Sequence, residues 1–152
     1  NDYVHGVEVG LDSNGRKNRG GHQMEHLVES YLLKTGVPYS KEVPLSSLSI
    51  PISANLPKNK RWDFTVTTPS TFYVIETNFY TDGGSKLNET ARSYRLIAEE
   101  ARDISGFVFV WITDGKGWKS AKASLRETFS VLDTLYNIAD MEAGIFSSLF
   151  SA

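Results

Sequence analysis

Cysteine is absent from this chain of 152 residues. Its absence excludes a disulfide framework, a thiolate metal site and a thiol nucleophile, and it is compatible with the cytosol. Long apolar runs are missing too, because the longest, Phe107 to Ile112, is far shorter than a membrane span. No signal peptide, lipidation motif or low-complexity tract is present. These features are those of an ordinary globular protein and give no sign of a membrane partner.

A basic excess is also missing. The net charge of −2 and the pI of about 5.9 argue mildly against a protein that merely coats nucleic acid. A DNA enzyme needs only a local basic surface, however, because that surface supplies the phosphate contacts. Some of the Lys and Arg residues lie close together in the sequence, although about half of them can be explained as scattered, solvated side chains. The three groups are Arg16, Lys17 and Arg19; Lys58, Lys60 and Arg61; and Lys116, Lys119 and Lys122.

The length fits a single domain with one core, 1–152, and no initiator methionine precedes Asn1. We therefore interpret the chain as a processed product or a fragment of something longer. Five glycines indicate a loop over 1–21, and four prolines indicate an irregular excursion over 38–59, with a possible short strand near 48–52.

Apolar periodicity divides the remainder into helices and strands. The predicted elements are a helix over 22–35, a hairpin of strands over 61–67 and 71–80, a helix from the N-cap Ser85 to about 104, a strand over 106–113 that is buried on both faces, and a last long helix marked by Trp118, Ala121, Leu125, Phe129 and Leu132. A strand–helix–strand unit beside a hairpin predicts an α/β fold, with a mixed sheet and flanking helices.

Acidic side chains interrupt both strands of the predicted hairpin. Strand alternation places Glu76 and Asn78 on one face of the second strand, inside a strongly apolar segment. Asp63 interrupts the partner strand, where alternation places Trp62, Phe64 and Val66 together on one face. Buried carboxylates are costly unless they bind something, and two on adjacent strands can meet at one hard cation such as Mg²⁺. The spacing alone equally fits an Asp and a Glu that face solvent at a sheet edge.

Other candidates are weaker. Asp114 ends the buried strand where ligands collect on open sheets, but Thr-Asp-Gly is more often a turn. On the first helix Glu25 flanks the apolar face, whereas Glu29 points farther away and fits a solvated face. His22 and His26 share a helix face, but no third metal ligand follows at a sensible spacing.

Three longer stretches carry a family resemblance. The pattern of Asp63 followed by Glu76-Thr77-Asn78 resembles the PD-(D/E)xK nuclease signature. GLDSNGRKNRGGHQMEHLVE (10–29), YVIETNFYTDGGSKLNETARSY (73–94) and FVWITDGKGWKSAK (109–122) resemble the DpnII/MboI family of restriction endonucleases. The resemblance extends over most of 6–145, and it implies the catalytic, C-terminal part of a longer protein.

That resemblance implies a prokaryotic, cytoplasmic type II restriction endonuclease. It implies Mg²⁺-dependent double-strand cuts at the palindrome GATC by a homodimer whose two-fold axis matches that of the site. Carried over by position, Asp63 and Glu76 are the metal ligands, and Glu25 is an accessory acid. Asn78 stands where the signature has Lys, and Lys86 is the nearest cation along the chain that could replace it.

The basic segment before the first helix fits DNA contact. An Arg can read guanine bidentately and an Asn can read adenine, although phosphate contact is the commoner role for any one of these residues. The candidates are Arg16, Lys17, Asn18 and Arg19, together with Arg92, Lys116 and Lys119 as backbone contacts or plain surface residues.

Two other functions stay open at this point. One is a catalytically silent DNA-binding module on a nuclease scaffold, which the intact Asp63 and Glu76 argue against. The other is a structure-specific repair or junction nuclease, which cuts by DNA shape and gives no discrete fragments from a plasmid.

Replacing Arg16, Lys17 and Arg19 together with Ala should weaken binding to a GATC duplex strongly. The variant would neutralise fewer phosphates, so its binding would release fewer counterions from the DNA. The logarithm of the binding constant should then fall less steeply with the logarithm of the salt concentration, by up to about 0.9 for each phosphate contact removed. Titrations by fluorescence anisotropy at several salt concentrations measure both quantities. An unchanged slope would place this segment away from the DNA.

Overall fold

The computed structural model describes residues 21–44, 46 and 60–151. The expectations for 1–20, for the strand near 48–52 and for Lys58 lie outside these residues, and so do the side-chain roles of Arg16, Lys17, Asn18, Arg19 and His22. The described elements are helix α1 (Gly21–Thr35), strands β1 (Tyr39–Pro44), β2 (Arg61–Thr67) and β3 (Phe72–Phe79), helix α2 (Ser85–Arg102), strand β4 (Phe107–Asp114), a 3₁₀ helix (Lys116–Ala121), helix α3 (Lys122–Phe129), strand β5 (Leu135–Tyr136) and helices α4 (Ile138–Glu142) and α5 (Ile145–Leu149).

The described strands form a mixed sheet in the order β1-β2-β3-β4-β5. β1, β2 and β3 are antiparallel neighbours, whereas β3, β4 and β5 run parallel. The parallel pair β3 and β4 is joined through α2, as a strand–helix–strand unit requires. This arrangement confirms the α/β class. None of the described helices is long and apolar enough to cross a membrane.

Helices cover both faces of the sheet. α2 and α3 pack on one face, over a cluster that contains Val74, Phe109 and Trp111. α1, α4 and α5 pack on the other, over a cluster that contains Ile75 and Val110. Because β3 and β4 contribute alternate residues to both clusters, their buried side chains form a continuous apolar run, as expected for strands covered on both sides.

Strand β2 breaks the expected alternation. Phe64 and Val66 pack on the α1 face, whereas Trp62 packs on the α2 face beside Phe109, with ring centroids 5.6 Å apart. A regular strand would keep all three on one face, so the prediction that they share a face is wrong for Trp62. The side-chain direction therefore changes at Asp63.

Several predicted boundaries also need correction. β1 occupies part of the segment predicted to be irregular, and its polar side chains are largely exposed because it is an edge strand. The last long helix is divided into the 3₁₀ helix and α3, and the chain has left the helix before Leu132. Gly84, not Ser85, is the N-cap of α2, without a side-chain capping bond.

Candidate active site

The site begins where β2 and β3 stop pairing. Their backbone ladder runs from Thr67–Phe72 to Phe64–Ile75. Beyond it the two carboxylates supply the next bonds between the strands. Asp63 Oδ2 accepts from the backbone N–H of Thr77 at 2.8 Å and from its hydroxyl at 3.3 Å. The backbone N–H of Asp63 donates to Glu76 Oε1 at 3.3 Å. Each carboxylate is thereby held against the opposite strand, and the two lie side by side.

Glu76 is enclosed on the α2 face. Its side chain is 6% exposed. Its Oε2 accepts a hydrogen bond of 3.0 Å from the buried Tyr94 hydroxyl and lies 3.5 Å from Lys60 Nζ. The Tyr94 ring is fixed by edge-on contacts with Phe109 and Trp111, at centroid distances of 5.4 and 4.7 Å. The carboxylate is therefore oriented by a rigid donor and by one cation.

Burial raises the pKa of both carboxyls, and the neighbouring Asp63 raises the pKa of Glu76 further. For Glu76, burial first and the neighbouring Asp63 second raise the pKa to about 7, against the opposing effects of Lys60 and Tyr94. Burial also raises the pKa of Asp63, against the bonds from Thr77. Two carboxylates with raised pKa values carry negative charge that the site only partly compensates. A bound cation would supply the missing compensation.

Asn78 lies on β3 beyond Glu76, and its amide orientation is fixed. Its Oδ1 accepts from Trp111 Nε1 at 3.1 Å and from the Thr113 hydroxyl at 2.6 Å. Trp118 Nε1 in turn donates to the Thr113 hydroxyl at 3.0 Å. An indole N–H can only donate, so the oxygen of Asn78 must face Trp111. The group that Asn78 can offer a substrate is therefore the Nδ2 donor.

Comparison with known proteins decides the family. The model of the DpnII restriction endonuclease family matches residues 1–148. The chain belongs to this family. The type II restriction enzyme DpnII of Streptococcus pneumoniae is 49% identical over 97% of this chain and 55% of its own length. The type II restriction enzyme MboI of Moraxella bovis is 45% identical over 90% of this chain and 49% of its own length.

A third relative is less similar in sequence. The type II restriction enzyme MjaIII of Methanocaldococcus jannaschii is 37% identical over 99% of this chain and 56% of its own length. The chain therefore spans about half the length of the curated relatives it matches. A solved protein of unknown function, AF1548, aligns at 15% identity and a TM-score of 0.36 over 74% of this chain and 54% of its own length, which is too distant to bear on the site.

The donor set fits the divalent metal ion that membership of the DpnII family implies. Asp63 and Glu76 offer hard carboxylate oxygens, and Asp63 Oδ1 has no hydrogen-bond partner among the described residues. In the part of the chain that the structure describes, no three His, Asp or Glu side chains gather closely enough to hold a metal. Mg²⁺ commonly uses one or two carboxylates and completes its shell with waters and substrate phosphate. Two carboxylates are thus sufficient.

Other residues predicted for the site lie apart from this pair. Glu25 is half-buried on α1, and the structure does not gather it with Asp63 and Glu76. Lys86 is exposed in the first turn of α2 and has no described contact with either carboxylate. Their catalytic roles stay predictions.

Two further acidic candidates have structural partners. Asp114 is fully buried and accepts from the backbone N–H groups of Gly115 at 2.8 Å and Ile138 at 3.1 Å. It is therefore a turn residue that ties β4 to α4, as the Thr-Asp-Gly sequence suggests. Glu29 accepts from the Tyr39 hydroxyl at 2.6 Å and pairs with Lys41 at 3.1 Å, so it joins α1 to β1. Its side chain stays 25% exposed, so Glu29 remains in contact with solvent beside these two partners.

Lys60 and Tyr94 are the site residues that sequence patterns missed. The helical spacing of α2 predicts Tyr94 as a core residue, and a phenol in an apolar helix face gives no sign of its hydrogen-bond partner. Lys60 was one of three neighbouring cations. Its position directly before the strand that carries Asp63 was the available signal.

The pH dependence of stability should report the buried Glu76 carboxyl. Its pKa rises from 4.5 to about 7 on folding, so the folded state holds the extra proton between these values. The free energy of unfolding of the metal-free protein should therefore fall as the pH rises from about 4.5 to about 7, by up to about 3 kcal/mol. Glu76→Gln, which cannot ionise, should remove most of this fall. Urea denaturation in EDTA across this range provides the measurement.

The control for that experiment is Glu99→Gln, which removes a carboxylate from an exposed position on α2. It should keep the wild-type pH dependence, and Mg²⁺ should flatten the wild-type curve by stabilising the ionised carboxylate. Parallel curves for wild type and Glu76→Gln would mean that Glu76 does not gain a proton on folding.

Proposed function

We propose that the protein is a type II restriction endonuclease that makes Mg²⁺-dependent double-strand cuts at GATC. The observation that carries this proposal is the carboxylate pair at the end of the β2–β3 ladder, in a member of the DpnII family. The relatives named above are type II restriction enzymes. GATC is the site that the family resemblance implies, and all of these sources are prokaryotic, which supports a cytoplasmic enzyme acting on DNA.

The residues of the chain divide the work of phosphodiester hydrolysis. Asp63 and Glu76 would hold Mg²⁺, which when bound polarises the scissile phosphate and makes water more acidic. Thr77 and Tyr94 keep the two carboxylates in place through the hydrogen bonds described above. Asn78 donates from Nδ2 to the attacking water or to a phosphate oxygen, because its Oδ1 is already occupied. An amide in this position orients its partner but adds no charge.

The position of the 3₁₀ helix supports a DNA-binding surface beside the carboxylate pair. β3 and β4 run parallel with Asn78 opposite Thr113, so the 3₁₀ helix after β4 begins at the end of the sheet that carries the site. Lys116 and Lys119 are exposed there. They are one 3₁₀ turn apart, about 6 Å along the axis, and share a side. This spacing supports contact with the phosphate backbone.

Arg92 has weaker support. It is exposed on α2, two residues before the buried Tyr94, and residues two apart on a helix point in directions about 200° apart. It therefore faces away from Glu76. Arg16, Lys17, Asn18 and Arg19 remain the proposed base-reading and phosphate-binding segment, and a homodimer matches the two-fold symmetry of a palindrome.

Asp63→Asn and Glu76→Gln should each reduce cleavage of a GATC duplex by at least about a thousandfold, because each removes a charged ligand from the proposed cation site. DNA binding should be largely retained. Matched controls are Asp103→Asn, at the exposed C-cap of α2, and Glu99→Gln, which should both cleave like wild type. Single-turnover cleavage with Mg²⁺ and anisotropy in Ca²⁺ measure the two properties.

Digestion of a plasmid of known sequence separates the proposed function from its alternatives. Discrete fragments that end at GATC support it. A structure-specific nuclease would leave a linear plasmid without discrete products, and a silent binding module would bind DNA without cutting. Near wild-type cutting by Asp63→Asn or Glu76→Gln would refute the assignment of the metal ligands.

Asn78→Ala should slow single-turnover cleavage by roughly a hundred- to ten-thousandfold, the range of a positioned catalytic group. Asn78→Asp keeps an oxygen for Trp111 and Thr113 but lacks the Nδ2 donor, so it should be slowed comparably. Unchanged urea denaturation would show that the hydrogen-bond network survives. Full activity of Asn78→Asp would show that the amide donor is not used.

A further inference from the structure

Lys60 places an ammonium group against the carboxylate pair. Its Nζ lies 3.5 Å from Glu76 Oε2. The same ammonium lies over the rings of Trp62 and Tyr94, 5.5 and 6.0 Å from their centroids. Its side chain is 32% exposed, so it is partly enclosed and still open to solvent. Among the described residues, no other Lys or Arg forms an ion pair with Asp63 or Glu76.

The break in β2 explains how Lys60 reaches this position. Lys60 and Trp62 are two apart, and both lie on the side of the sheet that faces α2. Had β2 continued its alternation from Phe64 through Asp63, both would lie on the α1 face, across the sheet from Tyr94. The change of direction at Asp63 therefore brings the cation and the second carboxylate together. The same residue supplies one carboxylate of the pair and places the ammonium beside the other.

Two other residues could take the place of the signature lysine, but neither forms an ion pair with the carboxylates in the described structure. Asn78, at the position where the nuclease signature has lysine, is neutral and its oxygen is engaged by Trp111 and Thr113. Lys86 is exposed in the first turn of α2 and contacts neither carboxylate in the described structure.

We propose that Lys60 is the catalytic cation of this site, donating from Nζ to the attacking water and to the phosphate oxygen on which charge develops. This inference rests on the proposed nuclease function. Two carboxylates and a phosphodiester carry three negative charges, and a divalent cation balances only two. The Lys60 ammonium neutralises the remaining negative charge. It does so at a partly enclosed site, where electrostatic stabilisation is stronger than in bulk water.

The step conserves atoms and charge. The oxygen of water forms a bond to phosphorus, and the bond from phosphorus to the leaving sugar oxygen breaks with its electron pair. Water loses one proton to solvent, and the leaving oxygen gains one from solvent. Lys60 keeps its protons throughout and acts as a positioned donor and charge.

Substitution of Lys60 tests the assignment. Lys60→Met should reduce single-turnover cleavage of a GATC duplex by roughly a hundred- to a thousandfold, whereas Lys60→Arg should retain part of the activity. In Lys60→Ala, added ethylamine should restore part of the rate by supplying an ammonium, which a purely structural role would not allow. The matched control is Lys34→Met, an exposed lysine at the end of α1, which should cleave like wild type.

Cation binding gives a second readout that does not require cleavage. The ammonium competes with a divalent cation for Glu76, so Lys60→Met should bind Mn²⁺ several-fold more tightly in calorimetric titration, whereas Asp63→Asn should bind it more weakly. If Lys60→Met does not fold, the same cleavage and Mn²⁺ titration experiments with Lys60→Gln and Lys60→Arg test the proposal.

The outcomes separate the two proposals. Wild-type cleavage by Lys60→Met, or loss of activity in Lys60→Met that ethylamine does not restore in Lys60→Ala, would overturn the role of Lys60. So would full activity of Lys60→Met beside an inactive Lys86→Met. Failure of the wild-type protein to cut any plasmid would refute the proposed function instead. In that case unchanged or weaker Mn²⁺ binding by Lys60→Met would overturn the placement of the ammonium at the cation site.

Discussion

The site depends on how a sheet accommodates two carboxylates where its backbone ladder ends. Beyond Phe64–Ile75 the strands β2 and β3 no longer pair through their backbones, and Asp63 and Glu76 accept the backbone N–H groups that face them. These bonds satisfy peptide donors that would be costly to leave unpaired in the interior. They also hold like charges close together, at a cost that burial increases. A bound divalent cation would offset this repulsion.

This constraint reaches beyond the pair itself. Because the side-chain direction changes at Asp63, Trp62 joins the aromatic cluster under α2 and Lys60 comes to lie over it. Tyr94 of α2 completes the enclosure of Glu76. A strand, a helix and the residue before the strand thus meet at one carboxylate. A change in the packing of Trp62 or Tyr94 would move the charged groups as well.

The segments that follow β3 and β4 approach each other closely at the end of the sheet that carries the site. The backbone N–H of Gly117 donates to the carbonyl of Tyr80 at 2.9 Å, so the start of the 3₁₀ helix is joined to the end of β3. Gly115 has a φ of 115° and a Cβ there would overlap that carbonyl, which leaves glycine as the residue that fits. The 3₁₀ helix with its exposed lysines is therefore hydrogen-bonded directly to the end of the strand that bears Glu76 and Asn78.

The sequence by itself determined the elements whose side chains are buried, and it identified the carboxylate pair. The period of two in β2 and β3, the apolar run of β4 and the helical spacing of α2 placed these elements to within about two residues. Asp63 and Glu76 stood out because a charge inside an apolar strand demands a partner. Only the tertiary structure decided β1, whose exposed side chains carry no alternation since it forms the sheet edge. It also decided that the last helix is divided into a 3₁₀ helix and α3, because the helical spacing of the apolar residues is compatible with either form. The position of Lys60 could not be predicted from the sequence, because regular alternation places Lys60 on the opposite face of the sheet. The departure from alternation occurs at Asp63, where the strand is bonded to its neighbour through side chains.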